Sequence, residues 1–274
     1  MLASRTLVRA MGAHDGLSAI LAERAGFEAL WAGGLGISTS HGLQDAGILT
    51  MTEFHADAVR IRRASSIPVI ADVDAGFGDI NVVRRMTRIY EQAGIDAVCI
   101  EDKQYPKRNS FREGHVLEDP HVFARKIEAI KSQQAKDDFV AIARLESLIA
   151  GKGMSDALDR ARLYCRAGAD AVLIHSRQST VSEVREFCAH FCQEFPDIPV
   201  FVVPTMYYTM NGEELQRIGA SGVIYANQMI RAAVAGMEHL LKSVAATGST
   251  AEMEDRMASV NALFTLVDTD AVED

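Results

Sequence analysis

The feature that most limits what this chain can become is a short junction that recurs along it. "AGFEALW" begins at Ala25, "AGIDAVC" at Ala93, "AGADAVL" at Ala167 and "IGASGVI" at Ile218. Each follows a stretch of helical character and runs on into apolar, β-prone residues. Glycine just past a helix end takes the left-handed conformation that stops the helix, and a short turn then feeds a strand. The runs lack polar alternation, as strands covered on both faces should. A second set of strand-like runs lies between the junctions: "TLVRAMGAHD" near the start, "IPVIADVD" from Ile67, "FVAIARLE" from Phe139 and "IPVFVVPT" from Ile198. The two sets interleave, separated by helical stretches such as "INVVRRMTRIYEQ" and "MSDALDRARLYCR". Strands alternating with helices make parallel βαβ units, and eight of them predict a closed α/β barrel of the (β/α)8 TIM type. A doubly wound open sheet is the alternative, but no glycine-rich phosphate fingerprint follows the first strand.

A chain of 274 residues suits one such barrel, and no Pro- or Ser-rich linker divides it. We expect a single domain over residues 1–274, with a helical extension over about 245–274. Met253, Met257, Val260, Leu263 and Phe264 would form an apolar stripe on that extra C-terminal helix. The helix would close its own barrel or dock on a neighbouring subunit. The formal net charge of −9 disfavours a nucleic-acid or anionic-membrane partner. No apolar run reaches the roughly 18 residues of a membrane span. The opening "MLASRTLVRAMGAHDG" shows no clear cleavage site, so no signal peptide is expected. Cys99, Cys165, Cys188 and Cys192 have neither disulfide-framework nor zinc-ribbon spacing, which points to reduced thiols in a cytoplasm. On a helix Cys188 and Cys192 share a face while His190 points elsewhere, so core packing is favoured over metal binding there.

In such a barrel the site lies at the C-terminal ends of the strands. Those ends carry His14 and Asp15, then Trp31 with "AGGLG", then Asp72 and Asp74, then Glu101 and Asp102. The later strands end in Arg144 and Glu146, in His175, Ser176 and Arg177, in Pro204 and Thr205, and in Asn227. Asp72 and Asp74, two apart in a strand, would project to one side, with Glu101 on the next strand. Three converging carboxylates need a cation, and hard oxygen ligands favour Mg²⁺ or Mn²⁺. A structural arginine–aspartate network is the alternative. Arg144, His175 and Lys107 would face the metal, equipping the cavity for a small anion with carboxylate and phosphate groups. The glycines after Trp31 offer backbone N–H groups to anionic oxygens. The loop "EDKQYPKRNS" after the fourth strand would then be a basic flap over the site.

These stretches resemble the phosphoenolpyruvate mutase branch of the isocitrate lyase superfamily. The most specific match is Glu101-Asp102-Lys103, five residues, then Asn109-Ser110; "ADVDAGFG", "IARLES", "LIHSR" and "VVPT" add to it. The resemblance implies a (β/α)8 barrel whose last helix is exchanged between subunits of a homotetramer, a dimer of dimers. It implies Mg²⁺ at Asp72, with Asp74 and Glu101 acting partly through water. Asp45 would lie close to a migrating phosphoryl group, and Lys107, Asn109 and Ser110 on a gating loop. Arg144 and His175 would hold phosphoryl and leaving oxygens. Trp31, Gly33, Gly34 and Leu35 would form the substrate-binding turn, with the Gly34 and Leu35 amides on anionic oxygens. The implied reaction interconverts phosphoenolpyruvate and 3-phosphonopyruvate, an isomerisation that opens phosphonate biosynthesis. It is uphill toward the P–C bond, so a downstream phosphonopyruvate-consuming enzyme must pull it.

One departure stands out: the mutases generally carry serine where this chain has Gly33, which removes a hydroxyl donor. Phosphonopyruvate hydrolases share the metal and the loop but carry threonine at the Asn109 position. Carbon–carbon lyases of the superfamily use a loop cysteine, which "YPKRNSF" lacks. An oxaloacetate-type decarboxylase and an inactive binding barrel are the remaining alternatives.

Overall fold

The computed structural model describes residues 6–267; the start of the N-terminal stretch, residues 1–5, and the end of the extension, residues 268–274, lie outside the described residues. The chain forms two compact units, one ending at Asn227 and one beginning at Gln228.

In the first unit strands and helices alternate as the junctions predict. In order they are β1 (Val8–Ala13), α1 (Gly16–Arg24), β2 (Ala29–Ala32), α2 (Gly34–Ser40), α3 (Met51–Arg63), β3 (Val69–Asp72), α4 (Ile80–Gln92), β4 (Ala97–Glu101), α5 (Pro120–Gln133), β5 (Val140–Leu145), α6 (Gly153–Arg166), β6 (Ala171–Ile174), α7 (Ser182–Glu194), β7 (Val200–Val202), α8 (Gly212–Arg217) and β8 (Gly222–Tyr225). Every neighbouring pair is parallel, and β8 returns to β1 with Tyr225 opposite Met11, so the barrel is closed.

The recurring junction has two working parts. Gly94 and Gly168 adopt φ of +82° and +102°, and their amides cap the helix carbonyls of Glu91 and Cys165. Glycine reaches that conformation without the Cβ penalty. The acid two residues later then ties the coming strand to the previous one. Glu28 accepts from the Arg9 amide, Asp96 from Val69 and Asp170 from Ala141, at 2.8–2.9 Å. The motif thus stops a helix and sets the register of the next strand. The barrel interior is filled from successive strands by side chains such as Trp31, Ile70, Cys99, Ile142, Leu173 and Phe201.

Asp15, at the exit of β1, is committed to structure. Its carboxylate accepts the Ser18 amide at 2.7 Å and caps α1. Cys188 is buried with Val184, Phe187 and Phe191 on one face of α7, while His190 is exposed, which matches core packing for this cysteine face.

In the second unit α9 spans Gln228–Thr247, a 3-10 turn covers Glu254–Arg256, and α10 spans Val260–Leu266. This corrects the expected single apolar stripe. Ser259 caps a new helix through its hydroxyl, which accepts the Ala262 amide, so Met253 and Met257 precede α10. Met253 is buried, whereas Val260, Leu263 and Phe264 are exposed. α9 carries its own exposed apolar row of Val234, Met237 and Leu241. No helix of the described residues is long and apolar enough to cross a membrane.

Candidate active site

A cavity opens at the C-terminal ends of the strands. Trp31, Gly33, Gly34 and Leu35 line it from the β2–α2 turn, Asp72 from β3, Glu101 from β4, Arg144 from β5 and His175 from β6. Asp45 enters from the loop after α2, and Lys107, Asn109 and Ser110 from the loop between β4 and α5. The barrel therefore gathers every expected site residue onto the cavity wall except Asp74.

Asp74 is not in a strand with Asp72. β3 ends at Asp72, and Asp74 lies beyond it with φ of +49°. Its carboxylate meets Lys107 Nζ at 2.5 Å, and the same ammonium reaches Asp45 Oδ1 at 2.9 Å. Asn109 Nδ2 donates to Asp45 Oδ2 at 2.6 Å. Two residues of the β4–α5 loop therefore clasp one carboxylate of the loop after α2. Burial opposes the charge on Lys107, but Asp74, Asp72 and Asp45 outweigh it and push its pKa well above the usual lysine range. The base of the β4–α5 loop is pinned as a short antiparallel pair: Lys103 bridges Leu117, and Gln104 N–H donates to the Val116 carbonyl.

Behind the cavity lining, the buried Glu146 is a hub. Its Oε1 accepts from Arg144 Nε at 2.6 Å and lies 2.9 Å from His175 Nδ1. Its Oε2 accepts from Ser110 Oγ at 2.8 Å and sits 2.9 Å from Lys103 Nζ. Burial works against ionisation of Glu146, but Arg144, Lys103 and His175 outweigh it and hold the carboxyl well below the usual range. Burial also holds the His175 imidazole below its ordinary pKa, with Glu146 opposing. His175 Nδ1 also lies 3.0 Å from Arg144 Nη2, so the tautomer decides whether it donates to Glu146 or accepts from the guanidinium.

Glu146 and Lys103, which the sequence reading placed at a strand end and in the loop, were not among its expected site residues. Each lies two positions after a cavity-lining residue, Arg144 and Glu101 respectively, and that spacing could have found them. Asp102 shows the other side of the same rule. One residue from Glu101, it turns outward to Arg160 Nη1 at 3.2 Å and Tyr164 Oη at 2.9 Å. Of the two acids that end the fourth strand run, only Glu101 lines the cavity.

Five carboxylates, Asp45, Asp72, Asp74, Glu101 and Glu146, share the cations Lys103, Lys107 and Arg144. Burial pushes Asp74 up to about 7; Asp72, Glu101 and Asp45 add to that, against the pull of Lys107. Glu101 Oε1 is buried and accepts no hydrogen bond among the described residues. Hard carboxylate oxygens are the ligand type that suits a divalent cation. As arranged, no group of three His, Cys, Asp or Glu side chains among the described residues is gathered closely enough to hold a metal.

The phosphoenolpyruvate phosphomutase family profile matches residues 1–245. A phosphoenolpyruvate phosphomutase of Streptomyces hygroscopicus is 39% identical over 270 residues, covering 96% of this chain and 84% of that protein. The crystal structure of a phosphoenolpyruvate phosphomutase from Streptomyces platensis subsp. rosaceus superposes with a TM-score of 0.97 at 44% identity, over 99% of this chain and 94% of that one. A phosphonopyruvate hydrolase in complex with oxalate and Mg²⁺ follows with a TM-score of 0.92 at 37% identity, over 99% and 94%. By profile, sequence and fold, the chain belongs to the phosphoenolpyruvate phosphomutase family.

Proposed function

We propose that the chain interconverts phosphoenolpyruvate and 3-phosphonopyruvate by moving a phosphoryl group between the enol oxygen and C3. One observation carries this reading: Lys107 and Asn109 from the β4–α5 loop meet Asp45 in a cavity that Arg144 and His175 also line. A phosphoryl group transferred through a metaphosphate-like state has little covalent chemistry to be done for it. It needs positioning, charge compensation and exclusion of water. Lys107 and Arg144 supply fixed positive charge, and the Asn109 amide orients oxygens without activating water, since it has no useful basicity. The β4–α5 loop covers the site and keeps water from the migrating group.

Asp72, Asp74 and Glu101 would hold Mg²⁺, with Mn²⁺ as the substitute. That cation would neutralise oxygens of the substrate and polarise it.

Phosphonopyruvate hydrolysis is the second reading, favoured by the likeness to a hydrolase at 37% identity. The asparagine at 109 argues against it. Carbon–carbon lyase chemistry with a cysteine acid or base has little support here, because none of the four cysteines lines the cavity. We further propose a cytoplasmic homotetramer in which the exposed rows of α9 and α10 meet neighbouring subunits, because six large apolar side chains, Val234, Met237, Leu241, Val260, Leu263 and Phe264, are exposed there. A downstream enzyme would consume phosphonopyruvate, since the P–C product is the uphill side.

The test is phosphorus NMR on enzyme given phosphonopyruvate and Mg²⁺. Phosphoenolpyruvate without inorganic phosphate is the expected result. Pyruvate and phosphate as the main products would make the chain a hydrolase.

A further inference from the structure

Gly33 is the position where this chain lacks the hydroxyl that its relatives' pattern implies, and its surroundings give a reason. The backbone there has φ of −93° and ψ of 140°, an ordinary extended conformation. Nothing in the backbone calls for glycine. The demand comes from space: a Cβ on Gly33 would fall 2.3 Å from Trp31 Nε1 and 2.5 Å from Trp31 Cδ1. The pyrrole edge of the indole, with its N–H, lies where a side chain at 33 would otherwise stand. Trp31 is 3% exposed and packs in the barrel interior, yet it lines the cavity beside Gly33. One residue further, a Cβ on Gly34 would meet Lys107 Nζ at 2.7 Å and Asp45 Oδ1 at 3.1 Å. Trp31, Lys107 and Asp45 line the same cavity.

We propose that Trp31 and Gly33 act as a pair in which the Trp31 indole N–H replaces a residue-33 hydroxyl as the donor to an anionic oxygen of the substrate. The inference rests on the phosphomutase reading and makes Trp31 the specificity-determining residue of this wall. The indole nitrogen donates and cannot accept, so the partner must be an acceptor oxygen. A ring-borne donor is also rigid, with two torsions to order, whereas a hydroxyl rotates to suit its partner. The pair thus narrows the ligands that fit while keeping a hydrogen bond at that point.

The chain has one tryptophan, so its emission reports on this ring alone. The experiment measures the Kd of oxalate with Mg²⁺ by calorimetry, the kcat/KM for phosphonopyruvate, and the tryptophan emission of the ligand-free protein where the ring is present. Trp31→Phe keeps a ring and removes the N–H. It is expected to weaken oxalate and lower kcat/KM by about tenfold each, the scale of a lost hydrogen bond to a charged group. Gly33→Ala drives the indole away and should shift the emission and weaken oxalate comparably. Gly33→Ser should shift the emission likewise but bind oxalate more tightly than Gly33→Ala, because its hydroxyl donates from the vacated place. The glycine variants decide the matter if Trp31→Phe fails to fold. Wild-type affinity and turnover in a folded Trp31→Phe enzyme, or in Gly33→Ala with unchanged emission, would overturn the proposal and leave the phosphomutase reading standing. A wild-type enzyme inert toward phosphonopyruvate would overturn both.

Discussion

Glu146→Gln is the sharpest test of how this site is built. The substitution keeps shape and volume and changes only charge and one heavy atom. Arg144 Nε and Lys103 Nζ can only donate to Glu146, Ser110 Oγ donates to Oε2, and His175 Nδ1 lies 2.9 Å from Oε1. Glutamine presents one acceptor oxygen and one NH₂ group. Whichever way it flips, a cation that can only donate, Arg144 Nε or Lys103 Nζ, faces the NH₂ at a distance set for acceptance. Two buried cations also lose a shared counter-charge, with Glu146 itself fully buried. Removing one partner from a buried ion pair destabilises by about 3–5 kcal/mol, and we expect that range for urea unfolding of Glu146→Gln. Because the folded pKa of Glu146 lies below its unfolded value of about 4.3, its contribution is present above that pH and lost as pH falls toward the folded value. The variant should therefore lose stability less steeply than wild type below about pH 4.3. With Arg144 released from its anchor, kcat/KM should fall by roughly 100- to 1,000-fold, the effect of losing one preorganised charge-stabilising donor. Wild-type urea stability together with wild-type kcat/KM would refute the hub.

Four further outcomes follow from the same geometry. Chelation of divalent metal, or Asp72→Ala, should abolish turnover with the circular-dichroism spectrum unchanged; full activity in chelator would reject the carboxylate site. Lys107→Ala removes the cation shared by Asp45 and Asp74 and should lower kcat by about 2–4 kcal/mol of barrier, read by phosphorus NMR time courses. Asn109→Thr releases Asp45 Oδ2 from its amide donor and makes room for water, so isomerisation should fall and inorganic phosphate rise; isomerisation at the wild-type rate would count against an orienting role. Leu241→Glu on the exposed row of α9 should shift sedimentation toward smaller species, and an unchanged sedimentation coefficient would separate that row from assembly.

The barrel was legible in the sequence because its cause is local. A glycine that stops a helix, an apolar run without alternation and the next helical stretch recur at a spacing that only βα units satisfy, and each part depends on residues close in the chain. The acids of the junctions were visible too, at Glu28, Asp96 and Asp170, but not their bonds to Arg9, Val69 and Ala141, which lie on neighbouring strands. The same limit governs the site. Strand ends named its members because a parallel barrel brings all of them to one rim. Which side chain meets which was decided by closure. It put Lys107 between Asp45 and Asp74, Lys103 and Glu146 in contact, and Asp102 against Arg160 and Tyr164 on the far side of the strand. A left-handed residue at Asp74 broke the strand periodicity that placed it beside Asp72, and the Ser259 cap broke the helix expected through Met253 and Val260. Gly33 read as a missing hydroxyl in one dimension; in three it is the space occupied by the edge of Trp31. Local sequence sets period, caps and turns, whereas pairing between residues far apart in the chain exists only once the strands have closed around a common axis.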